Sequence, residues 1–555
     1  MNAVLERTLQ NPLLIKGLRA RTRLKHLLSW GIVTLTITAF VALMIYTTIT
    51  EREMASAQDA AKAVLPGIIV IQAILLMMSG TGAVASGVAS EREEGLLDYV
   101  RMTPMSPTSK ILGYLFGLPA REYVLFALTM PFVVIAAVIA DFNALTLLHF
   151  YAVFFTSVWL YHLTGMVAGM VSEKPRLASM MSMGLVVVLY FVLPNLSRLG
   201  ITFFEFLTIR PTFYGLLQQE MPEHLRSTAE QSGIDSFRDV PFFTGVVHPT
   251  LYTMLVQGFM LAVMFSVVHR RWRDQAAHLF SKVGAILVFA GVLVFVLGSV
   301  WAVLVSDEAY DQVFGAMQRV AFGQREPETL EILLIVALMI IGGTFVLLVT
   351  CATPSRHTAV EGWRRAHKLG RRRIGFNADG ASSLPITLVM IALSLGAGWL
   401  VLHLVGREGL YYSQGPSPVS IGVLGLSIVG IALFVQGLRE RFDVRVFGVG
   451  IFVLWMIPFF AMMIMYSAFD AFVPGSYVGL PCPPALLVFA IGHMLETTVP
   501  LDGRVPTYLP EAIEQSGATL TAVGALGYLL AAGLVQALRA RHWRAVRRGD
   551  EAVIA

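Results

Sequence analysis

Long apolar runs alternate with short polar segments along the whole chain. A run of about 20 apolar residues forms a helix long enough to cross the roughly 30 Å hydrocarbon core of a bilayer. The runs show no alternation with a period of two, which disfavours a spanning β-barrel. The pattern predicts an all-α integral membrane protein with about twelve transmembrane helices, at residues 28–48, 64–89, 111–140, 145–171, 177–198, 247–268, 283–304, 329–351, 385–405, 418–437, 446–466 and 518–538.

Composition supports this class. Hydrophobic residues make up 56% of the 555 residues, charged residues 14%, and the mean hydropathy is +0.70. Soluble domains carry roughly a quarter charged residues. The net charge of +5 does not indicate a nucleic-acid partner, because the basic residues are spread over the loops. Cys351 and Cys482 fall at opposite ends of the predicted topology, so they predict neither a disulfide framework nor a metal site.

The loop charges predict the orientation. With the N-terminus in the cytoplasm, the inside segments hold 30 Lys and Arg residues and the outside segments hold 10. This excess follows the positive-inside rule and predicts that both termini are cytoplasmic. The basic N-terminal stretch leads into a full-length span with no signal-cleavage site. Low cysteine use and the lack of large extracytoplasmic domains favour a multi-pass protein of the plasma membrane, with the bacterial inner membrane as the expected location.

The twelve spans divide into two similar sets of six. Equivalent spans start between 255 and 274 residues apart, and the outer loop before the last span is long in both sets, at 199–246 and 467–517. An even number of spans per set predicts a parallel repeat about an axis along the membrane normal. The expected organisation is an amphipathic connecting helix at 1–27, a first half at 28–282 and a second half at 283–555. Short apolar pieces at 201–217 and 483–496 read as re-entrant or interfacial helices, or equally as external lids.

A charged segment, SEREEGLLDYVRMTPMSPTSK at 90–110, interrupts the apolar pattern between spans 2 and 3. As a helix over 91–101, it places Leu96, Leu97 and Val100 within an arc of about 100°. Its opposite side then holds Glu91, Glu94, Asp98 and Arg101. Ser90 and Glu93 have the spacing of a capping box, and Pro104 ends the helix. The pattern predicts a short amphipathic helix on the cytoplasmic surface.

The corresponding segment of the second set, SRHTAVEGWRRAHKLGRRR at 355–373, predicts a similar helix. Thr358 and Glu361 have capping-box spacing, and Gly370 suits the position just past the helix end. One face is apolar, and the other carries Arg364, Arg365 and Lys368. Either helix alone is as easily an interfacial anchor, and the basic one would be attracted to anionic lipid. Two such helices at matching places favour docking on a cytosolic partner.

The segment EREEGLLDYVRMTPMSP resembles a motif of type-2 ABC-transporter permeases, whose pattern is approximately E-R-E-x-G-T-L-E-x-L-x-x-T-P-x-S. The residues that match are Glu91, Arg92, Glu93, Gly95, Leu97, Thr103, Pro104 and Ser106. The departures are Leu96 in place of Thr and Asp98 in place of Glu. The stretch NPLLIKGLRARTRLKH at 11–26 similarly resembles the connecting helix of these permeases. The motif covers under a tenth of the chain, the six-span layout extends the resemblance over the first half, and the second half matches in layout only.

The resemblance implies a division of labour between subunits. Two six-span halves surround a substrate pathway, and the helix between spans 2 and 3 seats on a P-loop ABC ATPase subunit. A chain with both halves fused would recruit two ATPase copies, which use ATP and Mg. The residues expected to dock or couple are Glu91, Arg92, Glu94, Gly95, Asp98, Arg101 and Pro104, with Arg364, Arg365 and Lys368 in the second half.

The chain itself carries no ATPase motif. No G-x-x-x-x-G-K-[ST] loop is present, and the glycine-rich stretch SGTGAVASG at 79–87 lacks the lysine and lies within span 2. Small-residue pairs such as Ala83/Gly87 and Gly165/Gly169 are typical of close helix packing. No cofactor, metal site or catalytic cluster is expected in this chain. The expectation is therefore a transport subunit rather than an enzyme.

A few polar residues within the spans are candidates for a pathway or gate: Arg121, Glu122, His162 and Gln257. Each is also accounted for by an interhelical hydrogen bond or ion pair. The scarcity of buried charge favours an amphipathic or lipid-like substrate, and the expected function is the permease subunit of an ATP-driven exporter. The alternatives are an ion-coupled carrier with six plus six spans and a membrane-embedded scaffold or enzyme.

Overall fold

The structure is a computed structural model of the full chain. The residues that it describes are 10–52, 56–172, 174–192, 194, 201–213, 215, 239–274, 277–306, 327–371, 374–407, 412–414, 416–497, 499–500 and 516–548. By contacts, the chain divides into two compact units. The first unit comprises 1–198, 202–240 and 246–276, and the second comprises 199–201, 241–245 and 277–555.

All twelve predicted spans are confirmed as helices long and apolar enough to cross a membrane, and six lie in each unit. The helices of the first unit are α1 (Pro12–Arg21), α2 (Leu24–Arg52), α3 (Ala57–Ala73), α4 (Thr81–Glu93), α5 (Leu96–Met102), α6 (Pro107–Gly117), α7 (Ala120–Ile139), α8 (Ala144–Val171), α9 (Pro175–Val187), α10 (Phe203–Phe206) and α11 (Pro249–Arg273). The strands β1 (Val240–Phe242) and β2 (Gly245–Val247) precede α11, and residues 241–245 of them and of their turn are counted with the second unit.

The second unit is also almost entirely helical in its described part. Its elements are α12 (Lys282–Val305), α13 (Pro327–Ala352), α14 (Arg356–Lys368), α15 (Leu384–Arg407), β3 (Tyr412–Gln414), α16 (Pro418–Arg441), α17 (Val444–Phe469), α18 (Phe472–Gly479), α19 (Pro483–Glu496), β4 (Val499–Pro500) and α20 (Gly517–Arg548). Strands β3 and β4 pair in antiparallel fashion. The helices are therefore the elements able to cross a membrane, because each satisfies its own backbone hydrogen bonds, as a hydrocarbon environment requires.

Local sequence signals fix many helix starts. A polar N-cap side chain accepts a hydrogen bond from the first turn, and proline often follows at a position whose missing N–H costs nothing. In α1, for example, Asn11 accepts from the backbone N–H of Leu13 ahead of Pro12. The other N-caps of this kind are Ser56, Ser106, Asn143, Ser281, Ser355 and Ser417.

The second span is a single 37-residue path whose middle is not α-helical. Helices α3 and α4 are joined by a π-helical segment at Ile74–Gly80. The His162 side chain of α8 lies 3.0 Å, by its Nε2 atom, from the Leu76 carbonyl oxygen within this segment. A Cβ on Gly80 would lie 2.6 Å from the same ring nitrogen, so glycine allows the imidazole to approach. Such bulges persist where a side chain satisfies the carbonyls that the wider turn releases.

The third span is confirmed, but it begins about ten residues later than predicted. The sequence predicts one helix over 111–140, whereas the chain bends at Leu118 and Pro119, and only α7, at Ala120–Ile139, is long enough to span. Pro119 lies at the N-cap of α7, where its ring does not disrupt a preceding helical hydrogen bond. Arg121 and Glu122, which the long helix would place ten residues deep, therefore lie in the first turn of α7.

Glycines set the closest helix approaches, as the small-residue spacing predicts. A Cβ on Gly165 would lie 2.7 Å from the Thr81 carbonyl oxygen, and one on Gly169 would lie 2.6 Å from that of Ala85. Helices α8 and α4 therefore pack backbone against backbone. This close packing is typical of membrane helices, which associate through van der Waals contact rather than through exclusion of water.

The short helix predicted at 483–496 is confirmed as α19, and a second short helix, α18, precedes it; whether they are re-entrant, interfacial or an external lid stays a prediction. Helix α18 runs back along α17, because Gly475 packs on Tyr466 and Gly479 packs on Met462. At 1.5 Å per residue, Met462 lies roughly 10 Å below the end of α17 at Phe469. Helix α19 follows α18 and packs against α13, α16 and α20. At 201–217, the described helix α10 has four residues.

A buried carboxylate joins three helix ends in the second unit. The Oε1 atom of Glu440 accepts from the backbone N–H of Ser383 at 2.7 Å, at the start of α15. Its Oε2 atom accepts from Arg539 at 3.3 Å and from the indole N–H of Trp543 at 3.0 Å, both on α20. The negative charge therefore lies at the positive end of the α15 dipole and beside a guanidinium.

We expect Glu440→Ala to destabilise the second unit by about 3 kcal/mol. The substitution leaves the Arg539 guanidinium and the Ser383 N–H without this acceptor in a largely buried place. Thermal unfolding in detergent measures the loss. The matched control is Glu361→Ala on the exposed side of α14, where a change of under about 0.5 kcal/mol is expected. Equal shifts for the two variants would contradict the role given to Glu440.

Candidate docking site between the second and third spans

The predicted amphipathic helix exists, but it begins later than the sequence suggests. Ser90 and Glu93 do not form a capping box, because both lie inside α4, the end of the second span. The chain turns at Gly95, whose φ of +72° is a left-handed conformation that glycine adopts without strain. Helix α5 then covers Leu96–Met102, seven residues in all. The helix start predicted at Ser90 is wrong because the S-x-x-E spacing of Ser90 and Glu93 also occurs within a continuous helix.

Helix α5 is seated on the first unit by its buried side. Leu97 and Val100 pack in a cluster with Val268 and Trp272 of α11 and with Tyr114 of α6. The Arg101 guanidinium lies 5.9 Å from the centroid of the Trp272 ring and 2.5 Å from the Asp98 carboxylate. Arg101, predicted on the solvent face, is therefore mostly covered.

A buried lysine closes the C-terminal end of α5. The Lys110 ammonium, from the first turn of α6, donates to the carbonyl oxygens of Arg101 at 2.9 Å and Thr103 at 3.2 Å. These carbonyls belong to the end of a helix, where the dipole is negative and the backbone acceptors are unpaired. The loop through Pro104 is consequently held against α6 rather than left free.

The start of the motif is tied down by two charged residues. Glu91 accepts from Lys16 of α1 at 2.7 Å and from the phenol of Tyr114. Burial, and then the Glu91 charge, raise the pKa of Tyr114 above its ordinary value, so the phenol remains a donor. Arg92 donates to the carbonyl oxygens of Met170 and Ser172 at the end of α8. Glu91 and Arg92 therefore act inside the unit, although the amphipathic pattern places Glu91 on the solvent face.

The outward face of α5 is apolar as well as acidic. Leu96, predicted on the buried side, is 40% exposed, Tyr99 is 68% exposed and Met102 is 77% exposed. The three follow one another at intervals of three residues, so they form one stripe along the helix. The exposed carboxylates of Glu94 and Asp98 flank it. This stripe, here named the α5 surface, was missed because a helical wheel cannot tell which of two apolar sides the fold covers.

A cleft of about 280 Å³ lies beside this motif, between α1, α4 and α6. Its wall includes Gly17 and Gly113, and its rim carries Lys16, Arg21 and Glu94. Helix α1 approaches α6 closely, since a Cβ on Gly17 would lie 2.6 Å from the backbone of Gly117. The helix that resembles a connecting helix is thus packed on the elements that carry α5.

In the second unit, α14 begins at Ser355 rather than at Thr358. The Ser355 hydroxyl accepts from the Thr358 N–H at 3.2 Å, so Thr358 and Glu361 do not form a capping box. The predicted C-terminal end is correct: Gly370 has φ +67°, and its N–H donates to the His367 carbonyl at 3.0 Å. The Arg371 N–H donates to the Ala366 carbonyl at 2.9 Å, which completes a Schellman end.

The two faces of α14 follow the sequence pattern. Ala359, Val360 and Ala366 are buried, and Arg364, Arg365 and Lys368 are exposed. A Cβ on Gly362 would lie 3.0 Å from the Cα of Gly380, so the helix rests directly on the loop that follows it. Docking of either helix on a partner stays a prediction.

The candidate pathway residues are hydrogen-bonded within the first unit. Arg121 and Glu122 form an ion pair with an N–O distance of 2.6 Å, and Glu122 is 1% exposed. Gln257 donates to the Ser157 hydroxyl at 2.8 Å, and His162 contacts the π-helical segment. Gln257 and His162 thus make interhelical contacts, Arg121 and Glu122 pair with each other within α7, and a role in a pathway stays a prediction.

Among the described residues, no group of three or more His, Cys, Asp or Glu side chains has an arrangement able to hold a metal ion. The chain matches no protein-family model, no curated protein and no solved structure.

We expect Gly17→Ala to loosen α1 from α6, because the added methyl group meets the Gly117 backbone. Overpacking of this kind costs about 1–3 kcal/mol. Hydrogen exchange of residues 12–21 should rise while that of α8 stays unchanged. Gly184→Ala in α9 is the matched control, since nothing lies within 4 Å of its added Cβ. Unchanged exchange in Gly17→Ala would show that this contact does not hold α1.

Proposed function

We propose that the chain is the transmembrane permease subunit of a type-2 ABC transporter. In this proposal, two copies of a separate P-loop ATPase drive export of an amphipathic or lipid-like substrate. The observation that carries the proposal is the α5 surface. A short helix between two spans exposes an aromatic ring, a methionine and a leucine between carboxylates. Exposed apolar clusters with aromatic and Met side chains are typical of protein interfaces.

The supports of α5 suit the transmission of force. The helix follows the second span through a single turn at Gly95, and its far end is held by Lys110. Its buried face packs on α11, and Arg92 ties the preceding turn to α8. Movement of a partner seated on the α5 surface would therefore reach several spans at once. A loop without these contacts would absorb the movement.

The helix packing within each unit supports the proposed duplication. In both units, the first candidate span packs on the second and third, the second packs on the third and fourth, and the fourth packs on the sixth. The fifth span differs: α9 packs on α4 in the first unit, whereas α17 packs mainly on α18 in the second. A parallel repeat explains the shared pairs, and separate change in each half explains the fifth span.

The buried charges support an ATP-driven transporter over the alternative of an ion-coupled carrier. Among the described residues of the candidate spans, the buried carboxylates are Glu122 and Glu440. Each lies within a turn of a helix end and pairs with an arginine. Carboxylates that bind coupling ions lie near the bilayer midplane instead. An amphipathic substrate needs few such groups along its path.

We expect the double variant Tyr99→Ala/Met102→Ala to lose its ATPase partner. Interface aromatics in exposed stripes contribute about 2 kcal/mol or more each to binding, so co-purification should fall at least tenfold. The tagged chain is isolated from its native membranes, and P-loop polypeptides are quantified by mass spectrometry. Val246→Ala, an exposed apolar residue away from the α5 surface, is the control. A wild-type chain that co-purifies with no P-loop polypeptide contradicts the proposed function.

We expect the charge-reversal variant Glu94→Lys/Asp98→Lys to uncouple the complex without unfolding it. Both carboxylates are exposed, so reversal changes the field at the interface and leaves the packing of Leu97 and Val100 intact. The measurement is substrate-stimulated ATP hydrolysis of the reconstituted complex, with thermal unfolding of the permease as the control. Full stimulated hydrolysis in the variant would remove these two residues from the docking role.

A further inference from the structure

The loop between the second and third spans of the second unit exposes a surface unlike the α5 surface. Leu369, at the end of α14, is 70% exposed, and Phe376 is 45% exposed. The exposed cations of α14 and of the residue after Gly370 are Arg364, Arg365, Lys368 and Arg371. These six residues are here named the α14 patch. It combines large apolar side chains with positive charge, the combination typical of segments that lie on anionic membranes.

The two loops have opposite charge. Residues 352–384 hold seven Lys and Arg against two Asp and Glu, whereas residues 90–110 hold three against four. One ATPase surface that complements the acidic α5 surface would repel the α14 patch, because like charges across an interface cost binding energy. Under the proposed function, the second ATPase copy would therefore dock through contacts other than the α14 patch, which leaves the patch to another partner.

The position of the α14 patch suits a bilayer surface. The candidate span in α13 ends at Ala352, and α14 begins four residues after it, at Arg356. Four residues of chain reach about 14 Å at most, so α14 starts close to the membrane boundary. The contact of Gly362 with Gly380 and the Schellman end at Gly370 fix the helix and the first residues of the loop. The patch is thus presented on a rigid support.

We propose that the α14 patch binds anionic phospholipid of the same membrane. The headgroup phosphates contact the four cations, and Leu369 and Phe376 enter the interfacial layer. Basic residues beside an anionic membrane attract it with about a fivefold preference each, so the three cations within α14, Arg364, Arg365 and Lys368, together give roughly a 100-fold preference. This inference does not rest on the proposed transport function, since it concerns the lipid around the second unit.

The test places an environment-sensitive fluorophore at Phe376→Cys after replacing Cys351 and Cys482, the two native cysteines. The purified chain is reconstituted in nanodiscs of phosphatidylcholine, with or without about a third of phosphatidylglycerol. We expect a blue shift of the emission only with the anionic lipid. The charge reversal Arg364→Glu/Arg365→Glu/Lys368→Glu should abolish it, and Arg364→Lys/Arg365→Lys should retain it.

The matched control carries the same fluorophore at Met102→Cys on the α5 surface, where no response to phosphatidylglycerol is expected. Leu369→Cys provides a second reporter if Phe376→Cys does not fold. Equal emission in both lipid compositions at both reporters would overturn the proposal. A shift at Phe376 that needs a co-purified ATPase instead of anionic lipid would also overturn it and assign the patch to protein docking.

Discussion

Positive side chains placed on backbone carbonyls at helix ends are the interaction on which the loops between the spans depend. A helix end leaves its last carbonyls unpaired and carries the negative end of the dipole, so a buried ammonium or guanidinium satisfies both at once. The cations lie in both units; Arg92 and Lys282 join segments distant in sequence, and Lys110 closes the short loop before its own helix. They are Arg92 on Met170 and Ser172, Lys110 on Arg101 and Thr103, and Lys282 on Ala352 and Ala381.

These contacts explain how segments rich in charge are held in fixed places beside an apolar bundle. Lys282 is 2% exposed and donates to both carbonyls at under 3 Å, so it ties the start of α12 to the end of α13. Glu440 makes the opposite contact at the start of α15, where its carboxylate accepts a hydrogen bond from the Ser383 N–H at the positive end of the helix dipole. Most of the charged side chains in the motif at 90–110 similarly hold the loop in place. The side chains that remain exposed form the α5 surface.

The sequence predicts the spans well, because hydropathy sums over about 20 residues and single errors average out. It predicts the end of α14 at Gly370 for a local reason, since few residues adopt a positive φ. The sequence prediction fails where the outcome depends on tertiary contacts. Ser90 fits a cap or a helix interior equally, and Leu96 fits a buried or an exposed side until α11 is placed. Contacts between residues distant in sequence, such as those of Arg92 and Glu440, cannot be read from the local pattern.

The π-helical segment at Ile74–Gly80 changes how the second span is to be understood. Each wide turn takes up one residue more than an α turn, so the faces before and after it are out of phase by about 100° per extra residue. Gln72 lies before this segment and Glu91 and Gly95 lie after it, so the three cannot be placed on one continuous helical wheel. Regularising this stretch would turn the motif at its inner end about the helix axis without moving the outer end. The second span is therefore two helical segments whose relative rotation is set by the number of residues in the wide turns.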